Sequence, residues 1–306
     1  MEGQLDIQGN AHIANLTPSA SSALMLDADK RCAFIVRDRF ITHEQIFHIF
    51  NYTDMLINSP RRSRARGLIV SGRAGSGKTA LADALLRRYP ERRATDDARV
   101  ILPLARITMT GAKMASEIYV RTMEALGVPH ADRYSGRDAC REVVRFLQQS
   151  RLRGLIVDEI QDVMNRTPIQ MRETLESIKY VMNETGISII ALGTEEAERA
   201  VSCDPHLRAR FKTLSLPNWT VGPHLANFLA ELERCLPLRE PSHLASPSMM
   251  RILVSQTEGV LDGMLTLVNN ACCLAVERGM DRINEALLRE AEYEVPAFFG
   301  TLRSED

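Results

Sequence analysis

The sequence predicts an α/β fold in which a three-layer parallel-sheet core is followed by a small all-helical domain. Three observations lead there. Short apolar runs alternate with helical stretches between residues 67 and 216, the pattern of a parallel sheet covered on both faces. A glycine-rich segment joins the first of those runs to a helix. After Pro217-Asn218-Trp219 the strand-like runs stop and only helical patterns remain.

Taken in order, residues 1–30 hold no aromatic side chain and are rich in Ser, Ala, Asn and Asp, which reads as a mobile or loosely docked arm. From Thr42, the spacing of Ile46, Phe47, Ile49, Phe50, Met55 and Leu56 predicts a helix with Thr42 as its N-cap. Ser59 to Arg66 then forms a basic linker. Strands are expected at Gly67–Ser71, Arg99–Ile107, Gly154–Val157, Ile187–Leu192 and Thr213–Leu216. Helices are expected at 78–89, 111–126, 136–150, 168–183 and 194–202, and in the last part at 221–236, 246–256, 261–278 and 283–292. The division that follows is 1–60 for arm and lead-in helix, 61–218 for the core, and 219–306 for the helical lid and tail.

Composition narrows the function classes. At roughly 150 residues per domain, 306 residues suit two domains. With 38 basic and 39 acidic residues the formal charge is −1, so bulk attraction to nucleic acid or membrane is excluded and any such site is a local patch. The six cysteines form no CxxC pair and no set at metal spacing with His. A zinc site or disulfide framework is therefore not expected, and a reducing cytoplasm is. The first basic residue is Lys30, which gives no positive n-region of a signal peptide. No apolar run approaches the roughly 18 residues of a membrane span.

Gly72-Arg73-Ala74-Gly75-Ser76-Gly77-Lys78-Thr79 fits G-x-x-x-x-G-K-[ST], entered by the apolar Gly67-Leu68-Ile69-Val70 and left by a helix from Ala80. This is the phosphate loop of a P-loop NTPase, in which backbone N–H groups at a helix N-terminus hold phosphate charge. Residues 72–80 are the expected ATP site, with Lys78 on the β- and γ-phosphates and the Thr79 hydroxyl on Mg²⁺. Eighty residues beyond Lys78, Leu155-Ile156-Val157-Asp158-Glu159 ends a buried-type strand in two acids. Asp158 is the second expected Mg²⁺ residue and Glu159 the base for an attacking water, an arrangement that favours a hydrolase over a small-molecule kinase.

Two further candidates carry alternatives. Thr194, at the tip of Ile187–Leu192, contacts the water or γ-phosphate, caps the helix that follows, or does both. Arg210, ahead of Arg208, is either an arginine finger reaching a neighbouring subunit or a helix-end charge.

These motifs together resemble the AAA+ ATPases. Arg39-Phe40-Ile41-Thr42-His43, Val157 to Asp162 and Arg210 to Trp219 narrow the resemblance to the TniB family of bacterial transposon regulators, related to TnsC and the phage Mu B protein. The resemblance spans roughly residues 35–280. It implies an ATP-dependent regulator of DNA transposition that assembles as a ring or filament on duplex target DNA. It also implies recruitment of a DDE transposase and a TniQ-type companion. In related rings the DNA-facing segment follows the second strand. That assigns backbone-phosphate contacts to Thr110 and Lys113, with an ordinary solvated loop as the alternative.

One departure stands out: 261–277 contains no basic residue where many AAA+ lids carry an Arg, which favours slow hydrolysis used as a timer over lid-coupled turnover. Two other readings stay open: a helicase-loader type of AAA+ protein, and a nucleotide-gated DNA-binding scaffold with negligible hydrolysis.

Overall fold

Leu68, Ile69 and Val70 bring no polar side-chain atom to strand β1 (Gly67–Gly72), and the whole strand is buried. Such a strand belongs inside a parallel sheet rather than at its edge. The structure, a computed structural model, describes residues 11–61, 64–93, 100–129, 136–164 and 167–292. In it a short antiparallel hairpin, β2 (Arg92–Arg93) with β3 (Val100–Ile101), stands apart from the main sheet. The main sheet adds β4 (Leu104–Thr108), β5 (Gly154–Asp158), β6 (Ser188–Gly193) and β7 (Phe211–Leu216). Its order is β4-β5-β6-β1-β7 and every pair in it is parallel.

Alternation along the strands serves both faces. Ile69, Ala105, Ile107, Leu155, Val157, Ile189 and Ala191 join one apolar core, while Leu68, Val70, Ile156, Ile190 and Leu192 are buried without belonging to it. Between residues 45 and 217 run the helices α3 (Glu44–Asn58), α4 (Lys78–Arg88), α5 (Glu117–Ala125), α6 (Gly136–Gln149), α7 (Gln161–Met164), α8 (Pro168–Thr185), α9 (Glu195–Cys203) and α10 (Pro205–Arg208). Sheet and helices form the expected three-layer P-loop core.

Several elements differ from expectation for identifiable reasons. The single strand expected over Arg99–Ile107 is split, because Pro103 has no N–H for a ladder. The helix expected from 111 starts at Glu117, whose carboxylate accepts the N–H groups of Lys113 and Met114 and so fixes the preceding residues as turns. The lead-in helix α3 begins at Glu44, two residues past Thr42.

The described residues separate into two compact units: one within 45–217, and a second built from 11–44 together with 218–292. The loosely docked arm expected over 1–30 is corrected here for its described part. Thr17 and Asp27 accept N-terminal N–H groups of α1 (Pro18–Ala23) and α2 (Ala28–Ile35) and so cap two real helices. Cys32 and Ile35 of α2 are buried in the core made by α11 (Pro223–Glu233), α12 (Pro247–Thr257), α13 (Leu261–Glu277) and α14 (Glu285–Glu290). Thr17 N–H donates to Arg234 O at 2.8 Å, and Arg39 Nη1 donates to Asn269 Oδ1 at 3.1 Å. Residues 1–10 lie outside the described part. Burial pushes the Cys272 thiol up to about 12, as suits a packing residue.

Among the described residues no single helix is long and apolar enough to cross a membrane.

A glycine with no substitute holds the second unit together. Gly259 has φ +71° and follows Glu258, itself left-handed at φ 51°, where α12 ends. Trp219 N–H donates to Gly259 O at 2.8 Å, and a Cβ on Gly259 would lie 2.0 Å from the Trp219 carbonyl oxygen. Trp219 in turn packs against Phe228 and edge-on to His43, with ring centroids 4.8 and 4.9 Å away. Gly279 shares the backbone conformation, at φ +66°, but faces open space. We expect Gly259→Ala to lower unfolding stability by about 3 kcal/mol or more and Gly279→Ala by only about 1 kcal/mol, read from thermal or urea unfolding of the two variants side by side.

Candidate functional site

The phosphate loop is shaped by what its glycines permit. Gly75 and Gly77 have φ of 74° and 88°, and Gly77 is the N-cap of α4 without any side-chain cap. The N–H groups at the start of that helix are thus left to an anion rather than to a capping hydroxyl. A Cβ on Gly72 would lie 2.5 Å from Ser76 Oγ, and that hydroxyl is buried with no protein partner. Lys78 is 5% exposed, and its Nζ donates to the carbonyls of Gly72 at 2.8 Å and Arg73 at 2.9 Å. Burial pushes its ammonium below the usual lysine range, and the Glu159 and Asp158 carboxylates partly oppose that shift. Thr79 and Ala80 follow in the first turn of α4.

β5 delivers the two acids. Asp158 is 1% exposed; its Oδ1 accepts the Glu159 N–H at 3.0 Å, and its Oδ2 lies 3.5 Å from Thr79 Oγ1. The two residues expected to hold a cation, the Thr79 hydroxyl and the Asp158 carboxylate, are therefore side by side. Two oxygen donors, one of them charged, suit a hard cation such as Mg²⁺.

Glu159 sits in the left-handed region at φ 53°, a conformation a non-glycine residue holds only under constraint from its surroundings. Its carboxylate accepts a short hydrogen bond from the Gln161 side-chain amide. Gly193 makes room for that arrangement, since a Cβ there would meet Ile160 Cγ2 at 2.9 Å and Gln161 Oε1 at 3.0 Å.

β6 lies between β1 and β5, so its tip falls between the loop and the acids. Gly193 pairs with Ser71, whose hydroxyl donates to Glu198. Thr194 comes next. It occupies the N-cap position of α9 but makes no cap hydrogen bond, and its Oγ1 is buried with no partner in hydrogen-bond geometry. The adjacent Glu196 carboxylate feels that hydroxyl and is held below its usual range. The capping alternative is thus not the one realised.

Two residues of this site were not foreseen. Arg106 on β4 donates from Nη2 to Asp158 Oδ2 and from Nη1 to Asp83 Oδ1, both at 2.6 Å. Gln161 holds Glu159. The signal for Arg106 was present: an Arg inside Leu104-Ala105-Arg106-Ile107 must find an acid where the strand is covered. Gln161 carries no such mark.

The remaining candidates stand elsewhere. Arg210 O accepts the Gly67 N–H at 3.1 Å, so Arg210 lies at the start of β1 while the phosphate loop follows its end. That separation is about 16 Å at 3.3 Å per strand residue. Its Nη1 donates to Asn183 Oδ1 at 2.5 Å, whereas its Nε is buried and unpartnered.

Thr110 and Lys113 lie on the turn after β4. The Thr110 hydroxyl is 2.9 Å from that of Thr108, Arg121 donates to the Thr108 and Thr110 carbonyls, and Gly111 N–H donates to Asp162 Oδ2 at 3.1 Å. The Lys113 side chain is exposed. In the basic linker, the Arg61 guanidinium donates to the carbonyls of Leu147, Gln148, Ser150 and Leu152 at and just beyond the C-terminus of α6.

Comparison with known proteins agrees with this fold. No curated protein matches the sequence. Three solved structures resemble the chain in fold. The Aeropyrum pernix ORC2 protein (ADPNP–ADP complexes) has a TM-score of 0.60 at 20% identity, covering 85% of this chain and 71% of that one. The Aeropyrum pernix ORC1 protein in complex with DNA has a TM-score of 0.59 at 17% identity, covering 85% and 68%. Cdc6p from Pyrobaculum aerophilum has a TM-score of 0.60 at 16% identity, covering 85% and 70%. The family model described as Bacterial TniB protein matches residues 31–221. With the phosphate loop, the paired acids and the parallel sheet all falling within that match, the chain belongs to the TniB family of transposon-associated AAA+ ATPases.

Proposed function

We propose that the protein is an ATP-dependent regulator of DNA transposition. In this reading it assembles on duplex target DNA, recruits a DDE transposase beside a TniQ-type protein in the cytoplasm, and is timed by ATP hydrolysis. The observation that carries the nucleotide part is the meeting of Thr79 and Asp158 at 3.5 Å, with Lys78 buried in the same loop. Family membership supports the link to transposons. Neighbours of the same fold solved with ADPNP and ADP, or with DNA, support nucleotide and DNA as ligand classes.

In this reading the N–H groups of residues 73–79 and the Lys78 ammonium hold the triphosphate. Thr79 and Asp158 hold Mg²⁺, which when bound neutralises phosphate charge. Glu159 accepts the proton of the attacking water, whose oxygen bonds to the γ-phosphorus as the bond to the β-phosphate oxygen breaks. Gln161 keeps the Glu159 carboxylate from turning away. Thr194, with its buried hydroxyl at the tip of β6, contacts the water or the γ-phosphate. Arg210 acts on the nucleotide of an adjoining copy, since its own loop is out of reach. Thr110 and Lys113 meet DNA backbone phosphates without reading sequence.

A second reading, a nucleotide-gated scaffold with negligible hydrolysis, is favoured by one observation: α13 has no Lys or Arg. ATP turnover with and without duplex DNA separates the two. Turnover stimulated by DNA supports the timed regulator, and none in either condition supports the scaffold.

Lys78→Ala should lose ATP binding and ATP-dependent assembly on duplex DNA together, as seen by nucleotide binding and by electron microscopy. Assembly that survives the substitution would remove ATP gating. Glu159→Gln should bind ATP and stay assembled on DNA while turnover falls by a factor on the order of 10²; a variant that hydrolyses at the normal rate would take the base role from Glu159. Arg210→Ala should weaken turnover and self-association together. Mixing it with Lys78→Ala subunits should restore part of the activity at interfaces that join an intact loop to an intact Arg. Normal turnover by Arg210→Ala shifts the role to Arg208 or ends it.

A further inference from the structure

Arg106 links three parts of the site through one side chain. Its guanidinium, on a residue that is itself half-buried, bridges Asp83 on α4 and Asp158 at the tip of β5, with both contacts at 2.6 Å. Asp83 lies one helical turn beyond Thr79. The oxygen that Arg106 takes on Asp158 is Oδ2, the same atom that faces Thr79 Oγ1 at 3.5 Å. A guanidinium does not lose its charge at any ordinary pH. A permanent positive charge therefore stands on the carboxylate oxygen best placed to hold a divalent cation.

We infer that Arg106 is a positioning residue that acts as the built-in counter-ion of Asp158: it holds the carboxylate toward Thr79 and competes with Mg²⁺ for Oδ2. The inference rests on the nucleotide-binding reading above. Its consequence is ordered loading. A cation alone meets the repulsion of Arg106, whereas a cation arriving with a triphosphate brings negative charge that outweighs it. Asp83 is the second anchor. When the cation takes Oδ2, the guanidinium still has a carboxylate partner, and Asp83, 47% exposed, leaves that pair in contact with solvent.

The test uses the full chain and a fluorescent ATP analogue, with binding measured in EDTA and across a Mg²⁺ titration. For Arg106→Gln the Mg²⁺ midpoint should fall about fivefold, because the repulsion is gone, while analogue affinity in EDTA also falls about fivefold, because Asp158 now faces the phosphates uncompensated. Asp83→Asn should move the midpoint the other way, upward by about twofold, since Arg106 is then committed to Asp158. Arg106→Lys, which keeps the charge, should leave the midpoint within about twofold of the starting protein.

A purely structural Arg106 would weaken binding equally with and without Mg²⁺. That result, or an unchanged or raised midpoint in Arg106→Gln, overturns the inference while leaving nucleotide binding in place. If Arg106→Gln does not fold, Asp83→Asn decides: a raised midpoint supports the inference and an unmoved one overturns it. Absence of analogue binding by the starting protein in both conditions would overturn the nucleotide reading and this inference with it.

Discussion

A carboxylate with 1% of its surface exposed sets the terms for the whole strand-tip region. Taking an ionised Asp158 out of water carries a penalty of several kcal/mol unless neighbouring groups replace the lost solvation. The chain supplies them from three elements: the Arg106 guanidinium from β4, the Thr79 hydroxyl from α4, and the Glu159 N–H from the residue that follows. Each contribution has a structural consequence. β4 must accept an Arg among apolar residues. The phosphate-loop helix must lie against β5. Glu159 must adopt a left-handed backbone, which turns its amide back to its neighbour and its side chain toward Gln161. A buried ion pair of this kind adds little net stability, but it fixes where charges stand.

The parts of this site legible in the sequence are those in which chemistry and chain order coincide. The phosphate loop is one continuous segment whose glycines, Lys78 and Thr79 serve one ligand, and Asp158-Glu159 ends a run that could only be a buried strand. The core helices were legible in the same way, from periodicity. What was not legible depends on residues brought together by the sheet. Arg106 and Asp158 are neighbours because β4 pairs with β5 in the register Thr108 to Asp158, and no local pattern states that register. Gln161 depends on a missing Cβ on another strand, at Gly193. The helices of residues 18–35 were hidden because Ser, Ala and Asp are as common in arms as in capped helices, and only the distant apolar partners of Cys32 and Ile35 decide between them.

The turn proposed to face DNA is tied to the acids by a short path. Gly111 N–H donates to Asp162, and Asp162 N–H donates to the Glu159 carbonyl at 3.1 Å. Two hydrogen bonds therefore connect the backbone of that turn with the residue proposed to activate water. Arg121 adds stiffness from the other side through the Thr108 and Thr110 carbonyls. A shift of the turn on contact with phosphates would be felt at Glu159, which its φ of 53° already holds away from the commoner backbone regions. If the proposed roles hold, this path would couple a DNA-bound state to the rate of hydrolysis.

Drawing one compact unit from both ends of the chain also sets a timetable for the ribosome. Apart from Cys32, the buried residues that share a core with Ile35 begin at Leu225, some 190 residues later. At about 5–20 residues per second α2 emerges roughly 10–40 seconds before the helices that complete its core. Residues 45–217 meanwhile have their whole sheet in hand. The apolar face of α2 is thus synthesised well before the helices that bury it, while the sheet of residues 45–217 needs nothing made later.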